Sequence, residues 1–176
     1  RQVIVISQIV HMGDIVACEP VVRQVRQMYA EAFIVFAIHN SYRELADTHP
    51  DIDYVLSVTC ITEWAQFAGT GMFDHIIDLN IDGRICEICR IPWHKPKGSH
   101  GVTSENYYTF GSLLDAYCTS ADITTPDGGP IVYPRKEDIA YVDRLNLAER
   151  FVALHAGSNE KERTIPPAVW TQIVLH

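Results

Sequence analysis

The strongest constraint on the fold is a series of short apolar runs, typical of strands buried on both faces, separated by stretches with helical spacing. The runs are Val3 to Ile6, Phe33 to Ile38, Tyr54 to Val58 and His75 to Leu79. Strands of this kind occur in parallel sheets, because right-handed crossovers place helices over both faces. The sequence therefore predicts an α/β fold with a doubly wound parallel sheet.

Apolar side chains between the predicted strands recur with helical spacing. The residues from Ile15 to Met28 predict one helix after the first strand, and Ser41 to Thr48 a second, shorter one. A further helix is expected over residues 103–118, capped by Thr103 or Ser104. Each would cover one face of the sheet.

Residues dense in turn formers divide the chain into two parts. Pro and Gly cluster between Thr124 and Pro134, which predicts a linker over residues 123–135 after an N-terminal domain of residues 1–122. Residues 136–176 are then expected to begin a second α/β domain. Its predicted elements are a helix over Lys136 to Leu147, a strand over Phe151 to Ala156 and a helix starting at Pro166 or Pro167.

Charge and cysteine content limit the function classes. The 176 residues carry a formal net charge of −8, so no global positive field attracts nucleic acid. No apolar run approaches the ~18 residues of a membrane helix. Five cysteines, an odd number, with no signal peptide before them favour reduced thiols in the cytoplasm. The chain begins with Arg1 and ends within a predicted helix, so both ends look cut.

The first candidate site is the loop His11-Met12-Gly13-Asp14 between the first strand and the first helix. Ligands of doubly wound sheets bind at the carboxyl ends of strands, and a helix N-terminus favours negative charge there. Asp14 would stay ionised near pH 7 and could accept a proton from a hydroxyl nucleophile. The alternative is that Asp14 is only a helix cap and Gly13 only a turn residue.

The second candidate is the loop from Gly157 to Arg163, just before the last predicted helix. Small residues, a hydroxyl and two cations before a helix N-terminus suit a di- or triphosphate. A charged loop that simply faces water is the alternative.

Cys86 and Cys89 are spaced like zinc ligands, and His94 and His100 follow them. A helix over Asp82 to Ile91 would instead place both thiols on one face as small core residues. Because a second cysteine pair at finger-like spacing is missing, we expect no metal site and no cofactor, and a redox pair is equally weakly indicated.

A basic and aromatic segment stands out within the acidic chain. It could hold an anionic sugar or lipid headgroup by arginine contacts and stacking, or it could simply be exposed surface. Its members are Arg84, Arg90, Trp93, Lys95, Lys97, Tyr107 and Tyr108.

Taken together, these features resemble glycosyltransferase family 9, which includes the ADP-heptose:lipopolysaccharide heptosyltransferases. The resemblance lies in four stretches. They are Val3 to Asp14 with its Met-Gly-Asp, Pro20 with the basic helix Val21 to Tyr29, His49 to Val55, and Phe151 to Trp170. In the last stretch, Leu154 to Ser158 and Arg163 to Trp170 resemble the family's pattern, in which a phosphate-binding loop leads to Lys-x-Trp-Pro-x-x-x-Trp.

The resemblance implies a GT-B fold, in which two Rossmann-like domains face each other across a cleft. This chain would be the acceptor-side domain plus the beginning of the nucleotide-sugar-binding domain. Asp14 would be the general base, and Met12 and Gly13 would lie against the sugar. The donor would be bound by Gly157, Ser158, Asn159, Lys161 and Arg163.

The implied function is an inverting, metal-independent glycosyl transfer in the cytoplasm. Heptose from ADP-heptose would move to a lipopolysaccharide-core or other glycan or glycolipid acceptor, with peripheral contact at the inner-membrane surface. The chain departs from the family pattern at Val10-His11, Arg163 and Ile165. These departures motivate the alternative of a non-catalytic GT-B-like binding or assembly module.

Overall fold

The computed structural model describes residues 1–155, 157 and 164–175, which form two compact units, residues 1–135 and 136–176. The strands and helices of the first unit follow in chain order. They are β1 (Val3–Gln8), α1 (Met12–Ala17), α2 (Glu19–Met28), β2 (Phe33–His39), a 3₁₀ helix (Asn40–Leu45), β3 (Tyr54–Val58), α3 (Ile61–Ala68), β4 (His75–Asp78), a 3₁₀ helix (Tyr107–Thr109) and α4 (Leu113–Ser120). The second unit contains α5 (Lys136–Arg144) and α6 (Pro167–Leu175).

The four strands form one parallel sheet in the order β3-β2-β1-β4. After β3 the chain crosses back to the other side of β1, so the strand order reverses between β1 and β4. Open α/β sheets bind ligands outside the carboxyl ends of the strands at such a reversal. The first unit therefore has the predicted α/β, doubly wound architecture. A ligand site is expected at the carboxyl ends of β1 and β4.

Both faces of the sheet are covered, as the apolar runs predicted. Ile4 and Ile6 of β1 pack into an apolar cluster with α1, α2 and α4, whereas Val5 packs into a second cluster with Trp64 of α3 and Trp93. The strand period of two sends neighbouring side chains to opposite faces, so a continuous apolar strand fills both clusters.

The predicted helix from Ile15 to Met28 is in fact two helices that meet at Cys18. Pro20 lies in the first turn of α2, where the missing amide proton costs nothing. The helix predicted over residues 103–118 is also wrong in its first half. Gly111, at a φ of 95°, is not helical, so α4 begins only after it. Ser112 caps α4 by accepting a hydrogen bond from the Asp115 amide.

Two other local predictions are wrong. Residues 82–91 do not form a helix, because Ile85 pairs with Pro92 in an antiparallel bridge. Residues 151–155 do not form a strand and are exposed, since within the described residues the second unit offers no partner strand to accept their hydrogen bonds. The helix at Pro167 begins as predicted.

No helix within the described residues combines the length and the apolar character that crossing a membrane requires.

Candidate functional site

Polar side chains gather at the carboxyl ends of β1 and β4, where the strand order reverses. Asp78, the last residue of β4, accepts hydrogen bonds from the Ser7 hydroxyl at 3.1 Å and from the Asn80 side-chain amide at 2.7 Å. Asn80 Oδ1 in turn accepts a hydrogen bond from the Ile9 backbone amide at 2.8 Å. This buried network fixes the loop that leaves β1 and carries the first candidate site.

Asp14 lies in the first turn of α1 and is 7% exposed. Its Oδ2 accepts hydrogen bonds from the Arg84 guanidinium at 3.1 Å and from the His11 backbone amide at 3.3 Å. Its Oδ1 accepts the phenolic proton of Tyr117. Both oxygens of the predicted base are thus engaged by protein donors.

The two side chains that donate to Asp14, those of Tyr117 and Arg84, both have raised pKa values. Burial first, and then the charge and hydrogen bond of Asp14, raise the pKa of Tyr117 far above its usual value. Burial is the largest single effect on the pKa of Arg84 and lowers it, but the Asp14 carboxylate together with Tyr117 and Tyr107 outweighs burial and raises that pKa. Tyr117 therefore stays neutral and Arg84 stays charged near pH 7. An acceptor hydroxyl that is to donate its proton to Asp14 must displace one of these donors or share an oxygen with it.

The two neighbours of Asp14 in the predicted site are more accessible. Met12 is 55% exposed at the start of α1. A Cβ built at Gly13 would meet no atom within 4 Å. Open space beside Gly13 leaves room for a ligand to approach the backbone next to Asp14.

Of the predicted donor-binding residues, only Gly157 lies within the described part of the chain. Gly157 is exposed, with open space around its Cα. Ser158, Asn159, Lys161 and Arg163 lie outside the described residues.

A cleft of about 120 Å³ opens beside the loop after β1. His11 and Arg84 line it together with Asn80, and His39 and Cys60 form part of its wall. Arg84 thus connects the buried Asp14 to a solvent-accessible space large enough for a few water molecules or one small functional group.

The predicted basic and aromatic segment does not act as a single exposed patch. Trp93 is buried and donates its indole N–H to Asp78 Oδ2 at 3.1 Å. Lys95 points inward, and its Nζ donates to the backbone oxygens of Asp78 and Ser120, each at 2.6 Å. Tyr108, by contrast, is 71% exposed.

Burial dominates the electrostatics of this inward-pointing lysine and its neighbour. It lowers the pKa of Lys95, and the nearby carboxylates of Asp78 and Asp82 only partly offset this effect. Burial likewise raises the pKa of Asp78, against the opposing charge of Lys95. Both side chains also line a larger groove of about 850 Å³ between α3 and the end of α4.

The cysteine pair has a third member that sequence spacing did not reveal. Cys60, Cys86 and Cys89 place their sulfurs within 4.8 Å of one another. The Thr62 hydroxyl lies 3.1 Å from the Cys89 sulfur, and this hydrogen bond, followed by one from the Ile91 backbone, lowers the pKa of Cys89 to about 7.

The two histidines considered with the cysteine pair lie elsewhere. His94 is 3.7 Å from Asp82, and His100 is 3.9 Å from Asp122. Neither belongs to the group of thiols, which is the one cluster of metal-ligating side chains within the described part of the chain.

The sequence places Arg84 only in a basic segment and Tyr117 only in a predicted helix. Both contact Asp14, from 70 and 103 residues away along the chain. No sequence signal linked them to Asp14, because the contacts depend on how the loop after β4 and helix α4 pack beside α1.

Comparison with known proteins identifies solved structures with a similar fold. No protein-family model matches the chain, and no curated protein matches it. Several solved structures have a similar fold, and they include the following three. An E. coli heptosyltransferase WaaC with ADP-2-deoxy-2-fluoro heptose aligns with 98% of this chain at 12% identity and a TM-score of 0.51. WaaC with ADP aligns with 73% of the chain at 13% identity and a TM-score of 0.42. A glycosyl transferase family 9 structure from Veillonella parvula aligns with 46% at 20% identity and a TM-score of 0.40.

The first of these alignments, which spans nearly the whole chain, confirms the GT-B-type α/β fold and, at the level of fold, the resemblance to family 9. The chain spans 64%, 50% and 26% of the lengths of these structures, in the same order. At such identities the similarity concerns the fold alone.

Proposed function

We propose that this chain is the acceptor-side part of an inverting glycosyltransferase that uses a nucleotide-activated sugar and no metal in the transfer step. The observation that carries the proposal is a buried carboxylate, Asp14, at the sheet edge where ligands of this fold class bind. A donor of the ADP-heptose type is proposed because the WaaC structure with the same fold holds an ADP-heptose analogue.

In the proposed reaction, Asp14 accepts the proton of an acceptor hydroxyl as its oxygen attacks the anomeric carbon of the donor. The bond between that carbon and the nucleoside diphosphate breaks, and the diphosphate leaves with the electron pair. Attack from the face opposite the leaving group inverts the anomeric configuration. The Arg84 guanidinium, 3.1 Å from Oδ2, orients the Asp14 carboxylate before the transfer.

The remaining roles follow from the sequence resemblance. Gly157, Ser158, Asn159, Lys161 and Arg163 would bind the donor diphosphate through backbone amides, a hydroxyl and cations. The acceptor would be a lipopolysaccharide-core or other glycan or glycolipid, reached from the cytoplasm at the inner-membrane surface.

The alternative is a binding or assembly module that kept the fold without the chemistry. The observation in its favour is that both oxygens of Asp14 already accept hydrogen bonds from Tyr117, Arg84 and His11. A carboxylate engaged in this way serves equally well to join α1, α4 and the loop after β4.

A donor panel separates the two proposals. The longest natural polypeptide that contains this sequence would be titrated with ADP, UDP, GDP and their sugar conjugates, and then assayed for transfer to a heptose-deficient lipopolysaccharide core. Transfer from one donor, with inverted configuration by NMR, is expected. Binding without transfer or hydrolysis would favour the binding module, and no binding of any nucleotide would contradict both.

A further inference from the structure

The three thiols noted above come from two separate parts of the chain. Cys60 is the residue that precedes α3, and Cys86 and Cys89 lie in the segment after β4. All three sulfurs are within 4.8 Å of one another, and the three cysteines are free thiols of intermediate burial. Because the thiols come from different segments, the regular spacing of a single helix or strand does not explain why they lie together.

The backbone around Cys86 and Cys89 forms a tight hairpin that aims both side chains the same way. Cys86 donates its amide to the Ile91 carbonyl at 3.0 Å and accepts the Arg90 amide at 2.9 Å. Arg90 has a φ of 60°, in the left-handed region that L-residues with a long side chain rarely adopt. The turn therefore carries backbone strain immediately after the second cysteine.

The spacing of the sulfurs suits one metal ion. Thiolates bind zinc at about 2.3 Å in tetrahedral geometry, which separates neighbouring sulfurs by about 3.8 Å. Small side-chain rotations bring sulfurs within 4.8 Å to that distance. A disulfide between any two of the cysteines would leave the third unpaired, whereas a metal ion uses all three.

We propose that Cys60, Cys86 and Cys89 bind a zinc ion that ties the hairpin of residues 85–92 to the start of α3. On binding, the three thiols release their protons to solvent and the ion carries three sulfur ligands, with no change in oxidation state. Cys60 and Cys86 also line the cleft beside Arg84, so a water molecule from the cleft completes the tetrahedral shell. Thiolate ligands select zinc over magnesium or calcium.

The zinc site would serve to shape the cleft wall. Ile85, Cys86 and Ile88 of the hairpin line that cleft, and Arg84, which contacts Asp14, directly precedes them in the chain. An ion holding the hairpin would therefore limit the movement of Arg84. This role is independent of whether the protein transfers sugar.

The test is metal content and metal spectroscopy on the purified 176-residue chain. After incubation with one equivalent of zinc and gel filtration, the wild type is expected to retain about one zinc per chain by mass spectrometry. Cobalt in place of zinc is expected to give the intense visible bands of tetrahedral coordination and sulfur-to-cobalt charge transfer.

Variants identify the ligands. Cys60→Ser, Cys86→Ser and Cys89→Ser are each expected to weaken zinc binding by at least about 100-fold, whereas Cys89→His, which restores a zinc ligand, is expected to recover most of it. The control Cys118→Ala removes a thiol from the opposite core cluster and should leave the metal content unchanged. Circular dichroism of each variant reports whether it has folded.

Three results would overturn the proposal. They are less than about one tenth of an equivalent of zinc in the wild type, zinc retention unchanged in the three serine variants, and iron or a Cys86–Cys89 disulfide in place of zinc in protein purified under reducing conditions.

Discussion

Tyr117 on α4 donates its phenolic proton to the carboxylate of Asp14 on α1, across 103 residues of sequence. The contact is buried, and Tyr117 itself has no exposed surface. It joins two helices that cover the same face of the sheet and fixes the orientation of the residue proposed as the general base. Because the tyrosine keeps its proton, it acts as a hydrogen-bond donor and not as an acid in this arrangement.

Replacing this donor tests its structural contribution. Tyr117→Phe keeps the ring but leaves Oδ1 of Asp14 buried without its partner, so the free energy of unfolding is expected to fall by about 1–3 kcal/mol. Urea denaturation followed by fluorescence measures the change. Tyr108→Phe, at a side chain that is 71% exposed, is the matched control and should change stability by less than about 0.5 kcal/mol. Equal stability of both variants would show that the hydrogen bond contributes nothing.

The half-buried Lys95 offers a second stability test. Lys95→Met keeps much of the side-chain volume but removes the donor to the carbonyls of Asp78 and Ser120. Two part-buried carbonyl oxygens then lose their charged donor, and we expect a loss of about 1–3 kcal/mol in unfolding free energy. Lys97→Met, at an exposed position two residues later, should be near neutral. A similar cost for both substitutions would contradict the inward orientation of Lys95.

Acid stability should depend on Glu19. Burial raises the pKa of this carboxyl, but hydrogen bonds from Arg23, the Ile131 amide and His49 outweigh it and lower the pKa below its ordinary value of 4.5. A lowered pKa means that the ionised form stabilises the fold above pH 4.5, and that this contribution is lost as the pH falls through the folded-state pKa.

The variant Glu19→Gln removes this dependence. The difference in unfolding free energy between wild type and variant should be largest near pH 7 and shrink steadily below pH 4.5. Urea denaturation at a series of pH values measures it, with the exposed Glu31→Gln as control. A difference that stays constant down to pH 3 would show that the ionisation of Glu19 is not coupled to folding.

Gly111 is expected to tolerate no side chain. Its φ is 95°, and a Cβ there would stand 2.8 Å from Asp115 Oδ2, the oxygen that also accepts the Ser112 amide. Gly111→Ala should therefore destabilise the protein by about 1–3 kcal/mol and loosen the start of α4. Gly129→Ala, with no atom within 4 Å of the new Cβ, is the control for thermal denaturation. An unchanged melting temperature for Gly111→Ala would refute the backbone assignment.

The sequence predicted the sheet well because the strands carry their own signal. Val3 to Ile6 and Phe33 to Ile38 are apolar on both faces, as strands of a parallel sheet covered on both sides are. Residues 151–155 have the same apolar character but form no strand, because a strand also needs a neighbour to pair with. Composition alone does not supply that neighbour.

The candidate site was only partly predictable for a different reason. Asp14 could be singled out, because it follows the first strand at the position where ligands of this fold class bind. Its partners Arg84 and Tyr117, and the third thiol Cys60, come together only through the packing of separate segments. Long-range contacts of this kind leave no periodic trace in a single sequence.

The central claim, that Asp14 is the general base of a glycosyl transfer, is tested most directly by the turnover of Asp14→Asn. Steady-state transfer from ADP-heptose would be measured in the longest natural polypeptide that contains the sequence, with the exposed Asp127→Asn as control. We expect active wild type and control, and a kcat about 10²–10⁴-fold lower for Asp14→Asn with a folded protein and unchanged donor affinity. Wild-type turnover in a folded Asp14→Asn variant would contradict the claim.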